Sequence, residues 1–194
     1  LKQYYQDWYR PDLMSVIAVG DFQADSIEAL VKETFERIPR AENPRVRTMY
    51  PVPDHDETLF AIVTDPENSS SSVSVYFKQD VPSEGSKADY RRSLVGTMFN
   101  TMLNQRLDEL TKTPDPPFLG AGSSQGYMVR TKAAYLLGAG VKEGGIERGL
   151  EAVFTEALRV QRHGFTEPEL VRIKTNLLRG IEQLYRERDK RRSG

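Results

Sequence analysis

Cysteine is absent from the 194 residues, so disulfide bonds, thiol nucleophiles and zinc–thiolate sites are all excluded. Histidine is scarce, with two residues in the whole sequence. Lysine and arginine number 27 against 28 aspartates and glutamates, which lacks the basic excess typical of a nucleic-acid binder. No apolar run reaches the roughly 18 residues that a membrane-spanning helix needs. We therefore expect neither a nucleic-acid partner nor a membrane span.

The length is sufficient for one globular domain of generous size. The sequence begins at Leu1 rather than at an initiator methionine, and it stops within a highly charged run at residues 186–192. No internal repeat or interior low-complexity linker divides it. We expect residues 1–194 to form a single domain that has been cut from a larger, multi-unit chain.

Apolar patterns in the first half predict three strands and one helix. A run of β-branched residues closed by glycine predicts a buried strand at residues 13–19. Asp25 and Glu28 have the spacing of a capping box, and the helix that they open is predicted to end before Pro39. The further strands are predicted at residues 59–64 and 73–77.

The second half predicts a long helix, a pair of strands and two final helices. An apolar stripe predicts the long helix at residues 88–110, and the prolines that follow end it. The last helix is predicted to open at a capping box formed by Thr166 and Glu169. The other elements are strands at 118–130 and 133–141 and a helix from Ile146 to His163.

The predicted element order is β-α-β-β-α-β-β-α-α. This order favours an α+β fold, in which helices cover one face of a mostly antiparallel sheet. We expect a two-layer sandwich with a sheet of about five strands and about three to four helices.

The histidines give little support for a metal site. His55 and His163 are far apart, and neither His-x-x-Glu-His nor His-Glu-x-x-His occurs in the sequence. The strongest metal-binding candidate is the cluster at residues 54–57 (DHDE), for which a solvated acidic loop is the favoured interpretation. His163 precedes a glycine at the end of a predicted helix. At that position a helix-capping role is at least as well supported as a catalytic role.

Other candidate groups also favour structural roles. The glycines at 120–126 and 138–144 miss the dinucleotide-binding spacing by one residue, so turns or relief of crowding in a sheet are expected. The serines at 69–72 have no paired histidine. Arg106 lies beside the apolar stripe of its helix, where it reaches either a partner or the solvent. The residues alone therefore predict no self-contained catalytic, cofactor-binding or metal site.

Several phrases nevertheless resemble one family. Residues 4–14 (YYQDWYRPDLM), 16–22 (VIAVGDF) and 164–170 (GFTEPEL) resemble the opening and closing signatures of the non-catalytic domain of pitrilysin/insulinase zinc metallopeptidases. Residues 103–107 (LNQRL) and 117–121 (PFLGA) are similar to the middle of that domain. The similarity covers essentially the whole chain, and its end resembles the periplasmic zinc-protease branch.

The resemblance implies the second unit of a catalytic half, whose partner unit carries the zinc. Members of the family catalyse peptide hydrolysis with His-x-x-Glu-His and a downstream glutamate in an earlier unit. No residue here matches that motif, so no catalytic, cofactor-binding or metal residue is carried over, and none is assigned to Arg106 or Tyr127. The implied role is to pack on the catalytic unit of the same chain and to shape a chamber for peptides or unfolded proteins.

Two alternatives remain open at this point. One is a domain of a non-peptidase relative that has kept the fold and acts as a structural or partner subunit. The other is an unrelated α+β module that binds a small ligand or a protein. The similarity to the periplasmic branch favours the bacterial periplasm as the location.

Overall fold

The computed structural model describes residues 1–190 and divides the chain into two compact units. Within the described range, the first unit comprises Leu1–Met49 together with residues 186–190, and the second comprises Tyr50–Tyr185. The residues at 191–193 that resemble the periplasmic branch lie outside the described range. The single domain expected for residues 1–194 stays a prediction.

The first unit contains two helices, α1 (Lys2–Trp8) and α2 (Ala24–Phe35), and two 3-10 turns (Pro11–Leu13 and Arg188–Lys190). Arg10 is buried and donates a hydrogen bond of 2.6 Å to the carbonyl of Arg45. The guanidinium of Arg45 lies over the Trp8 ring at 5.4 Å from its centroid. Helix α1 was not predicted from the sequence, because its seven residues carry no helical apolar stripe.

Helix α2 begins two residues earlier than predicted, and the expected capping box is wrong. Its N-cap is Gln23, which makes no side-chain cap, and Asp25 lies within the first turn. Glu28 instead accepts a hydrogen bond of 2.5 Å from Lys32, one turn further along the helix. The helix ends at Phe35, before Pro39 as predicted.

The second unit contains three strands and three helices within the described range. The strands form an antiparallel sheet of order β1-β3-β2, in which Val75 and Ser123 each lie opposite Leu137 of the central strand. The elements are β1 (Ser71–Gln79), α3 (Lys87–Thr111), β2 (Gly120–Val129), β3 (Lys132–Val141), α4 (Ile146–His163) and α5 (Glu167–Arg186).

These bounds confirm the α+β class, while the sheet of about five strands is not confirmed. The segments at 13–19 and 59–64 have no ladder partner within residues 1–190, and Ile17 and Ile62 are 83% and 89% exposed. A strand needs a neighbour for its backbone hydrogen bonds, and that neighbour is not encoded in the apolar pattern that predicted the strand. The two-layer arrangement of the whole chain is likewise not confirmed.

The core lies between the sheet and helices α3 and α4. Alternate residues of β3 point to these helices, so that Leu137, Ala139 and Val141 are all buried. Gly149 of α4 lies so close to Val141 that a Cβ at this position would overlap the valine side chain. The other members of the core cluster are Leu103, Leu107, Phe118, Val153 and Val160.

Helix ends in the second unit follow the expected capping chemistry. Ser86 and Asp89 form a capping box at the start of α3. Helix α4 ends at His163, as predicted, and Gly164 follows with a φ of 69° that favours glycine. These caps fix where α3 and α4 meet the neighbouring loops.

Candidate functional site

The two histidines lie in separate local settings. Nδ1 of His55 lies 2.6 Å from the carbonyl oxygen of Glu57, two residues along the same exposed loop. His163 is the exposed last residue of α4. Among residues 1–190 no three His, Asp or Glu side chains converge in a way that would hold a metal ion.

The acidic cluster at residues 54–57 contains a salt-bridge partner of a lysine. Nζ of Lys132 lies 2.8 Å from Oδ1 of Asp54 and 3.0 Å from Oδ1 of Asp80. The hydrogen bond from Lys132 holds the pKa of Asp54 below its usual value. Asp54 thus has a cationic partner within the chain, which supports the interpretation of this loop as structural.

Arg106 binds inside the protein rather than reaching into solvent. Its Nε and Nη2 donate to the two carboxylate oxygens of Glu169, over 2.7 and 2.9 Å, which is the bidentate geometry of a strong ion pair. Nη1 lies 3.3 Å from the carboxylate of Glu156, which is buried. The guanidinium also lies 5.0 Å from the centroid of the Phe165 ring. Arg106 on α3 therefore connects to both α4 and α5.

Glu169 completes this network at the start of α5. Its Oε2 accepts hydrogen bonds of 2.7 Å from the amide and the hydroxyl of Thr166, which confirms that the two residues interact across the first turn. The hydrogen bonds from Arg106, with help from Thr166, lower the pKa of Glu169 to about 2. The sequence indicated the Thr166 contact through its spacing, but the contact with Arg106, 63 positions away, had no local signal.

The helix α3 meets the edge strand β2 through asparagine side chains. Oδ1 of Asn104 accepts a hydrogen bond of 2.6 Å from the amide of Ser123, and its Nδ2 donates to the carbonyl of the same residue over 3.0 Å. Oδ1 of Asn100 accepts from the Ser123 hydroxyl over 2.8 Å. Asn104 thereby satisfies both backbone groups of a buried residue on an edge strand. Sequence reasoning missed these residues, because polar side chains on a helix usually face solvent.

A cleft of about 750 Å³ lies beside this contact. It is bounded by the first half of α3, the last part of β2 and the loop at residues 82–86. Many of its lining residues are small or polar and two are tyrosines, but most of the surface that they expose to the cleft is apolar. The lining includes Tyr90, Thr97, Asn100, Gln125 and Tyr127.

A hydrogen bond ties one wall of the cleft to its loop. The hydroxyl of Tyr127 donates to Oε1 of Glu84 over 2.7 Å, and this bond raises the pKa of Tyr127. On the opposite side, the hydroxyls of Ser86 and Ser83 lower the pKa of Asp89 to about 2. The cleft offers amide and hydroxyl groups beside two aromatic rings, together with the charged side chains of Glu84, Asp89 and Arg92.

The glycine runs lie in strands and turns, as expected. Gly122 and Gly126 are in β2, so neither begins a helix that could bind phosphate. A Cβ at Gly138 would lie 2.9 Å from Oγ of Ser74 and 3.2 Å from the carbonyl oxygen of Val73, so this glycine relieves crowding in the sheet. Gly144 has a φ of 73° in the turn before α4.

The family model described as the Peptidase M16 inactive domain matches residues 1–177. The chain belongs to this family. The M16 inactive domain described here is 31% identical over 190 residues to the protein called zinc protease PQQL-like from Arabidopsis thaliana. That alignment covers 97% of this chain and 17% of the relative, so the chain spans about a fifth of the length of such proteins or less.

Solved structures share the fold of this M16 inactive domain. It superposes with a TM-score of 0.81 and 21% identity on the crystal structure of the periplasmic protease PqqL from Escherichia coli, over 98% of this chain and 21% of that one. The crystal structure of the first half of PqqL gives the same TM-score and identity, with 98% and 41% covered.

The residues of this M16 inactive domain do not fit the zinc ion implied by the names of its relatives. The donor set within residues 1–190 lacks three converging ligands, and Asp54 of the acidic loop is already paired with Lys132.

None of the helices within residues 1–190 has the length and apolarity to cross a bilayer.

Proposed function

We propose that this chain is the non-catalytic domain of a zinc-dependent endopeptidase, in which it packs on the catalytic unit and forms part of the wall of the substrate chamber. The observation that carries the proposal is the match of the inactive-domain model to residues 1–177. The relative from Arabidopsis thaliana is named a zinc protease, which favours a peptidase over a non-peptidase partner subunit. Zinc and the hydrolytic step belong to another unit of the parent protein.

We further propose that residues 1–194 act as one domain of a longer polypeptide. The chain matches 41% of the first half of PqqL, which leaves room for a catalytic unit within the same half of such a protein. PqqL is described as a periplasmic protease, and this supports the bacterial periplasm as the location.

In the parent protein, residues 59–64 complete the sheet beside β1 as part of a five-stranded, two-layer sandwich. β1 is at the edge of the sheet in the described range, and the segment precedes it by a short connection. That connection contains two local turns. Oδ1 of Asp65 accepts a hydrogen bond from the Glu67 amide, and Oδ1 of Asn68 accepts one from the Ser70 amide. Pairing would cover apolar side chains such as Ile62, which is 89% exposed.

The cleft between α3 and β2 is the part of the wall that contacts substrate. Tyr90 and Tyr127 offer ring faces to apolar side chains, while Asn100 and Gln125 offer amides to a peptide backbone. A peptide or an unfolded protein presents both kinds of group, so it suits this lining.

Filling the cleft tests this role in the full-length protein. Thr97 lines the cleft, and Thr97→Trp should raise KM for a peptide at least about tenfold, or about 1.4 kcal/mol, while kcat stays unchanged. Thr111→Trp is the matched control, since both threonines donate from Oγ1 to a backbone carbonyl of α3, but Thr111 is at the far end of the helix. Equal KM values in the two variants would contradict the proposal that the substrate contacts the cleft.

A further inference from the structure

We propose that Lys132 fastens the segment Tyr50–Asp54, called the strap below, to one end of the sheet and so fixes the path by which the chain enters the second unit. The second unit begins at Tyr50, so the strap is its first stretch of chain. Lys132 is the first residue of β3, directly after the turn that joins β2 to β3.

The lysine is built into the protein, unlike the usual lysine of a surface ion pair. Its side chain is 7% exposed, whereas those of its partners Asp54 and Asp80 are 74% and 96% exposed. A buried ammonium is costly unless it is paired, so a carboxylate partner is needed where the lysine lies. The hydrogen bond that Lys132 donates to Asp54 raises the pKa of Lys132, which keeps the ammonium charged.

The two aspartates differ in what they connect. Asp80 follows β1 directly, so its place at this end of the sheet does not depend on the pair with Lys132. Asp54 belongs to the strap, and its two oxygens lie 2.8 and 3.0 Å from Nζ of Lys132. The Lys132–Asp54 pair is therefore the ion pair that ties the strap to the sheet.

Two further side chains of the same sheet end hold the strap by its backbone. The hydroxyl of Thr131 donates to the carbonyl of Tyr50 over 3.0 Å, and Nζ of Lys78 donates to the carbonyl of Pro53. Pro51 and Pro53 restrict the backbone between these anchors, which lowers the entropy lost on binding. The strap is thus held at its beginning, at Pro53 and at its last side chain.

Backbone nitrogen-15 relaxation of the full chain measures how firmly the strap is held. The amides of Tyr50, Val52 and residue 54 report on it, since the two prolines of the strap have no amide hydrogen. We expect order parameters of about 0.85 in the unmodified chain and below about 0.6 in Lys132→Met and Asp54→Asn. Asp80→Asn should keep the strap ordered, because the pair with Asp54 remains.

Matched controls separate this effect from a general loss of structure. Lys142→Met removes the exposed lysine that follows the other end of β3, and its strap should remain ordered. Asp54→Asn changes an exposed side chain, so it tests the proposal even where Lys132→Met fails to fold. Unchanged order parameters in Asp54→Asn would overturn the proposal, as would equal loosening in Asp80→Asn and Asp54→Asn.

Discussion

A single guanidinium, that of Arg106, joins three helices of the second unit. It pairs with Glu169 on α5 and Glu156 on α4, and Nη2 also lies 3.3 Å from the carbonyl oxygen of Gly164 between them. Arg159 donates to the other oxygen of Glu156 over 2.7 Å, so this buried carboxylate has two cationic partners. The network is more than a surface ion pair, because the side chains of Arg106, Glu156 and Glu169 are largely shielded from solvent, although Arg159 is exposed.

The pKa of Glu169 makes this network sensitive to acid. Its folded-state pKa of about 2 lies below the ordinary 4.5, so its contribution to stability is present above about pH 4.5 and is lost as pH falls toward 2. Glu169→Gln should lower the free energy of unfolding at pH 7 by about 2 kcal/mol. It should also flatten the decline of that free energy between about pH 5 and pH 2.

Urea unfolding across this pH range measures both effects. Glu167→Gln is the control, because it removes a carboxylate from the same turn that does not bind Arg106. Asp89, whose pKa is also about 2, leaves a residual slope in every variant. A slope in Glu169→Gln as steep as in the unmodified chain would contradict the assignment.

At the scale of elements, α3 protects the edge of the sheet through one side chain. The side chain of Asn104 hydrogen-bonds both the amide and the carbonyl of Ser123, which on an edge strand could otherwise pair with another strand. Asn104→Ala leaves those buried backbone groups without this partner, so we expect a loss of about 1–3 kcal/mol in urea unfolding. Asn176→Ala, at an exposed position of α5, should change stability by less than about 0.5 kcal/mol. Equal losses in the two variants would contradict this role.

The elements that sequence predicted best are those whose signals are local. Helix α3 was expected at 88–110 and spans Lys87–Thr111, because the apolar stripe that predicts it lies within the segment itself. The segment 59–64 has an equally clear apolar pattern, but a strand depends on a partner elsewhere in the chain. Contacts such as Arg106 with Glu169 were invisible for the same reason, since they join distant residues.

The whole chain presents much apolar surface for a small protein. Val171 and Leu178 of α5 are 54% and 58% exposed, and Phe60 in the unpaired segment is 86% exposed. Large exposed apolar patches usually mark surfaces that another protein or another domain covers. This agrees with a domain that spans about a fifth of the length of its relatives.

The proposed peptidase activity would need zinc ligands from another unit of the parent protein. A catalytic zinc needs three protein ligands with an open fourth position, and residues 1–190 bring no such set together. We therefore expect the purified, tag-free chain to hold well under one zinc ion per molecule after dialysis, measured by elemental analysis, and to cleave no peptide. His55→Ala and His163→Ala should leave the zinc content unchanged, since neither imidazole has converging ligands beside it. One tightly bound zinc per chain that is lost in either variant would contradict this account, because the hydrolytic centre would then belong to this domain rather than to its neighbour.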